Sequence, residues 1–282
     1  MAIKTSPDTT PNSPAESTSG RLPVTGKKAE PGPSPAWTNA ELVDPHARAD
    51  KQEKVRAMFA AIAGRYDLNN RVHSLWRDQA WRRYAVKQAG VTQTDHVLDV
   101  ACGTGDLTHA IARAGAARVV GLDYTQEMLD CAAVKKDRLP SQLKNRVEYL
   151  QGDAQQLPFE NAAFDAVTIA FGIRNVGNPE KAVQEFRRVL RPGGRLVILE
   201  FGTPDLAPVR WFNNLYCRRI MPITATLISG DRSGAYKYLP KSVATFMSTP
   251  QMKELMARSG FSDVSARSLS LGICVCYRGV AR

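Results

Sequence analysis

The sequence predicts an α/β fold in which a mostly parallel sheet carries helices on both faces. Three observations predict it. Short apolar runs alternate with helical patterns through the middle of the chain, as they do in repeated β-α-β units. The first apolar run leads into a glycine-rich turn and a helix, in "HVLDVACGTGDLTHAIARAG". Acidic residues, Asp123 and Asp153, stand where the next two runs end.

Two helices precede the sheet. "KQEKVRAMFAAIAGRYD" carries apolar residues at helical spacing, and "DQAWRRYAVKQAG" reads as a helix closed by Gly90. They form a predicted N-terminal helical segment over residues 51–90. Residues 1–45 are rich in Pro, Ser, Thr and Gly and nearly lack large apolar residues, so we expect a disordered tail. Residues 46–282 are then one folded domain.

Strand-like and helical segments follow in turn. The predicted strands are "HVLDVA", "ARVVGLD", "RVEYLQGD", "FDAVTIAFG", "RLVILEFG" and "LGICVCYRGVA". Asn178 caps a predicted helix that begins with Pro179, and Thr249 caps the last one. An apolar, aromatic insert over about residues 204–247 interrupts the rhythm. An insert beyond the strand ends can cover a ligand crevice as a lid.

Composition limits the class of protein. The 282 residues carry a net charge of +11, and acidic and basic residues balance through Lys54, so the excess lies in the folded part. The basic residues are scattered pairs with no interleaved aromatics, so we expect no nucleic-acid partner, whereas anionic lipid remains open. Five cysteines without a CxxC pair predict neither a disulfide framework nor a zinc site. We expect a cytoplasmic protein, since no signal or membrane-spanning run is present.

The glycine turn predicts a nucleotide-like ligand. Gly103 and Gly105 let the backbone approach a ligand closely, and Asp123 can accept hydrogen bonds from ribose hydroxyls. NAD and S-adenosylmethionine both fit this much. Thr108 stands where the dinucleotide fingerprint has its third glycine. Acids flank the turn, Asp99 before it and Asp106 after it, and they would repel a pyrophosphate. These residues favour S-adenosylmethionine.

Further segments resemble one family. "DVACGTGDLT", "GLDYTQEML", "GDAQQLPF", "AFGIRNV" and "RVLRPGGRLVILEFGTP" together resemble the ubiquinone/menaquinone biosynthesis C-methyltransferases. The resemblance runs from about Val55 to Gly279. It implies a class I S-adenosylmethionine-dependent methyltransferase: a Rossmann-like, three-layer fold with a mostly parallel, seven-stranded sheet. It also implies a co-substrate, S-adenosylmethionine, and no metal.

The resemblance also implies residue roles. Thr104, Asp123, Asp153 with Ala154, and Ala170 match the family's cofactor contacts; Asp99, Gly103 and Gly105 complete our predicted cofactor set. The chain departs from the family's pattern at four positions: Ala170 and Gly202 where serine is usual, Asn69 in place of Met, and Asp78 in place of His. At Ala170 a backbone contact would survive, but a side-chain hydrogen bond would be lost.

The resemblance implies methylation of a ring carbon of a prenylated quinol. We favour demethylmenaquinol, with the ubiquinone precursor 2-polyprenyl-6-methoxy-1,4-benzoquinol as the alternative. A phenolate pushes electron density onto the adjacent carbon, so the site needs a base or a phenolate stabiliser. The predicted catalytic residues are Arg174, Asn175 and Tyr236. Further candidates are His73, Asp231 and Tyr238.

Other interpretations stay open at this stage. The insert segment "VRWFNNLYCRRIMPITATLI" mixes bulky apolar residues with arginines, which suits peripheral contact with an anionic membrane. A methyltransferase for a phenol or a sterol, an NAD-dependent oxidoreductase and an RNA-associated protein are the competing functions. A homodimer is compatible with the sequence, which does not decide the oligomeric state.

Overall fold

The folded region holds seven strands and eleven α-helices in the part of the chain that the structure describes. That part, in a computed structural model, comprises residues 37–38, 40–229 and 235–282. Most of the predicted disordered tail, residues 1–36 and 39, therefore lies outside the described residues, as does the catalytic candidate Asp231. All the elements belong to the unit Pro33–Arg282.

The seven strands form one sheet in the order β3-β2-β1-β4-β5-β7-β6. Strands β1 to β5 run parallel, and β7 pairs antiparallel with both β5 and β6. The chain moves outward from β1 to β3 and then crosses back to β4, so the strand order reverses between β1 and β4. Ligands of open α/β sheets bind at such a reversal. The strands are β1 His96–Val100, β2 Arg118–Asp123, β3 Val147–Gln151, β4 Phe164–Ala170, β5 Leu190–Phe201, β6 Phe261–Leu269 and β7 Cys274–Ala281.

Helices flank the sheet, and further helices form the predicted N-terminal segment and the predicted insert. Three precede β1, and three lie in the insert before the last helix. They are α1 Lys51–Ile62, α2 Tyr66–Ser74, α3 Arg77–Ala89, α4 Asp106–Arg113, α5 Gln126–Lys136, α6 Ser141–Lys144, α7 Pro179–Val189, α8 Ala207–Leu215, α9 Met221–Ser229, α10 Ala235–Ala244 and α11 Thr249–Arg258. A π-helical turn, Tyr216–Ile220, joins α8 to α9.

Local sequence signals account for several helix ends. Gly90 ends α3 in a left-handed conformation with φ of 56°, which glycine adopts without strain. The Asn178 side chain accepts a hydrogen bond from the Lys181 backbone N–H and begins α7 as predicted. The last helix differs from the prediction by one residue. Ser248, rather than Thr249, caps α11, because its side chain and that of Gln251 form a capping box.

The central strands of the sheet are buried on both faces, as expected for parallel strands with crossover helices. On one face, Leu98 and Val120 pack with Phe186 of α7 and Leu255 of α11. On the other face, the neighbouring strand residues pack against α3 and α4, for example Val97 against Ile111. The alternation of side chains along each strand therefore supplies two cores. The carboxyl ends of β1, β2 and β4 lie between these two cores.

Two buried residues lie within the segment that was predicted to be a disordered tail up to residue 45. Trp37 and Leu42 are buried, with 5% and 3% of their surface exposed, in a cluster with Val55 and Met58 of α1. The Trp37 ring stacks on Tyr238 of α10 with 4.6 Å between ring centres. Isolated apolar residues in a polar segment gave no periodic signal, yet these two bury enough surface to hold the segment in place.

The insert is helical rather than an irregular loop. Helices α8 and α9, the π-helical turn between them, and α10 occupy residues 207–229 and 235–244. None of the described helices is both long enough and apolar enough to cross a bilayer.

Candidate active site

The glycine turn between β1 and α4 needs its two glycines for different reasons. Gly103 has a φ of 56°, and a Cβ built on it meets nothing within 4 Å, so that it would project into open space. Its backbone N–H donates to Asp123 Oδ2 at 2.7 Å. Gly105 has a φ of 82°, and a Cβ there would lie 2.1 Å from the Tyr149 hydroxyl. The first glycine leaves room for a ligand, and the second makes room for the protein's own tyrosine.

A cleft opens at the carboxyl ends of the central strands, beside this turn. Five predicted cofactor residues line it: Gly103, Asp123, Asp153, Ala154 and Ala170. Asp123 Oδ1 accepts the Thr125 backbone N–H at 2.9 Å. Burial raises the pKa of Asp123 despite its backbone hydrogen bonds. A carboxylate held in this way can accept two further hydrogen bonds, one at each oxygen.

Asp153 is also oriented by its neighbours. Its Oδ1 accepts the Gln155 backbone N–H at 2.9 Å, and its Oδ2 accepts from Gln52 Nε2 of α1 at 2.8 Å. Gln52 also lines the cleft. The N-terminal helical segment therefore closes one side of the site, which the strand pattern alone did not reveal.

Asp99, Thr104 and Gly105, the other three residues of the predicted cofactor set, are not among the residues that line the cleft. Asp99 is 1% exposed. Its two oxygens accept hydrogen bonds from the hydroxyls of Thr108 at 2.6 Å and Thr168 at 2.7 Å. Burial raises its pKa to about 6. Asp99 ties β1 to α4 and β4 beneath the turn, and therefore supports the turn without facing a ligand.

The Thr104 side chain turns away from the cleft into a charged cluster. Its hydroxyl donates to Asp67 of α2 at 2.6 Å and accepts from Lys135 of α5 at 3.2 Å. Lys135 also pairs with Asp67 and Asp106, and Arg71 pairs with Asp106 at 2.8 Å. We call these residues the α2 clamp: Asp67, Arg71, Thr104, Asp106 and Lys135. The clamp fastens the N-terminal helices to the glycine turn.

The clamp also corrects the argument that acids around the turn would repel a pyrophosphate. Burial acts to raise the pKa of Asp106, but Lys135 and other nearby cations outweigh it and lower that pKa far below its usual value. Its charge is therefore compensated by Lys135 and Arg71. Asp99 is sealed beneath the turn. The preference for S-adenosylmethionine cannot rest on these two acids.

A second, larger cavity of about 850 Å³ adjoins the cleft. We call it the chamber. It lies between α1 to α3 and the insert helices, and its lining is mostly apolar. Phe59, Tyr66 and Phe171 line both spaces, so the two cavities meet at these rings. A molecule in the chamber could present one end to a ligand in the cleft.

The predicted catalytic residues lie around this junction but are already engaged. Arg174 Nη1 donates to Glu200 Oε1 at 2.5 Å and to the Phe171 carbonyl at 2.8 Å. Asn175 lines the cleft; its amide donates to the same carbonyl at 3.3 Å and accepts from the Tyr238 hydroxyl at 3.0 Å. Burial raises the pKa of Tyr238 to about 12. Tyr236 is buried and lines the chamber.

His73 lies on the chamber wall, which its sequence context did not indicate. Its Nδ1 is 2.9 Å from the Tyr216 hydroxyl. That hydroxyl is also 3.4 Å from the His73 carbonyl oxygen, so its proton can point there while Nδ1–H donates to the hydroxyl. Nε2 is buried and has no partner among the described residues. Burial lowers the pKa of His73, which favours a neutral imidazole.

Sequence reasoning missed the residues that form the junction. Tyr66 and Phe171 lay inside quoted motifs but carried no signal of their position. Arg82, buried on the chamber wall, is adjacent in sequence to the exposed Arg83. The two arginines differ only in which side of α3 they occupy, and the sequence does not show which side faces the sheet. Among the described residues, no group of three or more His, Cys, Asp or Glu could hold a metal ion.

Comparison with known proteins identifies the family. The model of the ubiE/COQ5 methyltransferase family matches residues 47–281. The chain belongs to this family. It is therefore an S-adenosylmethionine-dependent methyltransferase, and the expected family and co-substrate are confirmed.

Two relatives show how far the similarity extends. The chain is 43% identical over 237 residues to "Ubiquinone/menaquinone biosynthesis C-methyltransferase UbiE" of Geobacter sp. (strain M21), covering 83% of this chain and 99% of that protein. It is 44% identical over 223 residues to "Demethylmenaquinone methyltransferase" of Thermus thermophilus, covering 79% and 99%. Both names appear at similar identity, so similarity does not separate the two quinone classes.

Solved structures confirm the predicted fold class. A methyltransferase of Thermotoga maritima aligns with a TM-score of 0.54 at 18% identity, over 81% of this chain and 100% of that one. One from Aquifex aeolicus aligns with a TM-score of 0.51 at 18% identity, over 71% and 89%. At this identity the likeness concerns the fold alone.

Proposed function

We propose that this protein methylates a ring carbon of a prenylated quinol, with demethylmenaquinol as the preferred substrate. The observation that carries the proposal is the chamber, which is large, mostly apolar and joined to the cofactor cleft through Phe59, Tyr66 and Phe171. A water-soluble phenol needs no such space, whereas a prenylated ring does. The ubiquinone precursor 2-polyprenyl-6-methoxy-1,4-benzoquinol is the alternative substrate.

The cleft residues fit S-adenosylmethionine. We assign Asp123 to the ribose hydroxyls, because it lines the cleft and the backbone N–H groups of Gly103 and Thr125 fix the orientation of its carboxylate. Asp153 is assigned to the adenine amino group, with Ala154 against the ring. We assign Gly103 and Ala170 to backbone contacts with the cofactor, and their small size leaves space for it. When bound, S-adenosylmethionine supplies a methyl group whose bond to sulfur breaks with both electrons remaining on sulfur. Residues 46–282, extended back to Trp37 by the packing described above, form the methyltransferase domain in this proposal.

On the quinol side, His73 is the candidate base. His73 lines the chamber, its imidazole is favoured in the neutral form, and its Nε2 has no partner among the described residues, so we assign it the proton of a quinol hydroxyl. The resulting oxyanion directs electron density to the adjacent ring carbon, which gains the methyl group. That carbon then loses its proton to water as the ring becomes aromatic again, and the imidazolium returns its proton to the ring oxygen. The Arg174 charge is already paired with Glu200. We therefore assign to the predicted catalytic residues, Arg174, Asn175 and Tyr236, the role of positioning the substrate ring at the junction.

The prenyl tail would leave through the chamber's mouth. Leu75, Phe212 and Leu271 line the chamber and are also 79%, 64% and 66% exposed, so they form its rim. Trp211, next to Phe212 on α8, is exposed as well. Exposed aliphatic and aromatic side chains of this kind insert into the interfacial region of a bilayer. We propose peripheral contact with an anionic membrane at this rim, which would let a lipid substrate enter without crossing water.

The test supplies methyl-labelled S-adenosylmethionine to the purified protein, together with each of three acceptors. Reduced demethylmenaquinol and the reduced ubiquinone precursor are presented in vesicles, and a tail-less naphthoquinol in solution. Label in the menaquinone fraction above the other two supports the proposal. Equal label in the tail-less quinol would remove the role of the chamber. Label in neither prenylated quinol, with S-adenosylhomocysteine still bound, would refute the substrate class and redirect the search to phenols and sterols.

A further inference from the structure

One buried guanidinium faces the chamber without a carboxylate partner among the described residues. Arg82 of α3 lines the chamber and is 8% exposed. Its Nε has no hydrogen-bond partner in the part of the chain that the structure describes. No carboxylate there lies within 4.0 Å of it either, and the Phe171 ring lies against it, 5.3 Å from the guanidinium carbon to the ring centre. A charge buried in this way is costly unless something meets it.

Other buried cations of the protein are met by oxygen atoms. Arg174 pairs with Glu200, Lys54 pairs with Glu41, and Lys51 donates to the Val176 carbonyl at 2.7 Å. Arg174 also has an unpartnered Nε among the described residues, but its charge is compensated. The lack of a described anion beside Arg82 is therefore specific to the chamber wall and does not reflect a general looseness of the structure.

The acids around Arg82 are engaged elsewhere. Asp78, one helical turn earlier, accepts from Ser74 Oγ and Gln79 Nε2. Asp106 is held by the α2 clamp, and Asp99 by its two threonines. The positive charge of Arg82 acts electrostatically on both Asp106 and Asp99. It helps to lower the pKa of Asp106, and it partly offsets the burial that raises the pKa of Asp99. It also partly offsets the burial that raises the pKa of the Tyr66 hydroxyl, as Arg174 does.

We propose that Arg82 binds the negatively charged ring oxygen of the substrate, the aryl oxyanion that forms when the quinol hydroxyl loses its proton. The proposal rests on the proposed function and deepens it. Phe171 lies at the junction of cleft and chamber and also against Arg82, so a ring seated at the junction brings an oxygen within reach of the guanidinium. An oxyanion gives Arg82 the anionic partner that the described residues do not supply. Arg82 holds this oxygen throughout and exchanges no bond or proton with it.

The test compares three variants with the wild-type enzyme in single-turnover methyl transfer to reduced demethylmenaquinol. Arg82→Gln removes the charge, Arg82→Lys keeps it without the planar fork, and Arg83→Gln is the matched control on the exposed side of α3. Loss of a hydrogen bond to a charged group predicts a roughly 10- to 100-fold slower transfer for Arg82→Gln. Arg82→Lys should retain more activity, and Arg83→Gln should match the wild type.

The pH profile distinguishes this role from a structural one. Without Arg82 the bound quinol loses its proton less readily, so the rising limb of the Arg82→Gln profile should move to higher pH and part of the rate should return there. Affinity for S-adenosylhomocysteine should be unchanged in all three variants. A rate for Arg82→Gln within about threefold of the wild type, or equal losses for Gln and Lys with an unmoved profile, would overturn the proposal. If the wild type labels no quinol, it is the proposed function that fails.

Discussion

Two glycines in one turn should fail in opposite ways when each is replaced by alanine. Gly103→Ala places a methyl group in the cleft at a φ of 56°. Alanine in the left-handed region costs about 1 to 2 kcal/mol, and nothing in the protein is displaced. The stability loss should stay in that range. A methyl group in a space shaped for a ligand costs about 1 to 3 kcal/mol of binding, or roughly 5- to 100-fold in affinity.

Gly105→Ala adds a steric conflict to the same backbone strain. The new Cβ would lie 2.1 Å from the Tyr149 hydroxyl and 3.0 Å from the carbon that bears it, so the ring must move. Overpacking costs about 1 to 3 kcal/mol. Breaking the 2.8 Å hydrogen bond between Tyr149 and His109 costs about 0.5 to 1.5 kcal/mol more. With the strain, the loss of unfolding free energy is about 3 to 6 kcal/mol.

Denaturant unfolding and calorimetric binding of S-adenosylhomocysteine separate the two effects. We expect the melting temperature of Gly103→Ala to lie roughly 2 to 8 °C below that of the wild type, and that of Gly105→Ala roughly 6 to 24 °C below it. Adding Tyr149→Phe to Gly105→Ala should recover part of the loss, because it removes the nearest atom. Equal stability of the two single variants, or wild-type affinity in Gly103→Ala, would refute the assignment of the two glycines.

Three further predictions follow from single contacts. Asp123→Asn should weaken S-adenosylhomocysteine binding roughly 10- to 100-fold by calorimetry, whereas the exposed Asp130→Asn should not; equal affinities would exclude the ribose contact. Burial lowers the pKa of Lys51 to about 8, so the unfolded chain binds more protons between that value and its usual 10.5, and Lys51 makes stability rise with pH there. In urea unfolding, Lys51→Met should lose that rise, on the order of 3 kcal/mol, and an unchanged pH dependence would contradict the shift. Lys135→Met should lower stability by about 1 to 3 kcal/mol and speed hydrogen exchange in α2, while Lys136→Met should do neither.

Sequence patterns predicted six of the seven described strands but not β6, which lies at one edge of the sheet. Strands β1, β2, β4, β5 and β7 contain apolar runs, and these five and β3 were predicted. Strand β6, "FSDVSARSL", escaped because it is an edge strand in which Phe261 is the one deeply buried side chain. The seventh strand entered only through the family resemblance. Strand β6 alternates polar and small residues along an edge of the sheet, so its sequence carries little apolar signal.

The cofactor residues were predicted at the level of the motif, and the motif did not separate those that face the cleft from those beneath it. Gly103 and Thr104 are adjacent, yet one lines the cleft and the other bonds to Asp67. The direction of each side chain depends on the left-handed turn and on α2, which is far away in sequence. Arg82 and His73 became visible only when α2 and α3 were placed against the sheet. Residues on the chamber wall come from segments that no local pattern links.

The most direct test of the account locates the transferred methyl group. Purified protein is given S-adenosylmethionine labelled with carbon-13 in its methyl group and reduced demethylmenaquinol in anionic vesicles, and the extracted lipid is analysed by NMR. We predict one labelled methyl group on a ring carbon, beside the carbon whose oxygen is held in the chamber. A labelled methoxy group would contradict ring-carbon transfer. An unlabelled lipid, from protein that binds S-adenosylhomocysteine, would contradict the assignment of the chamber to a quinol.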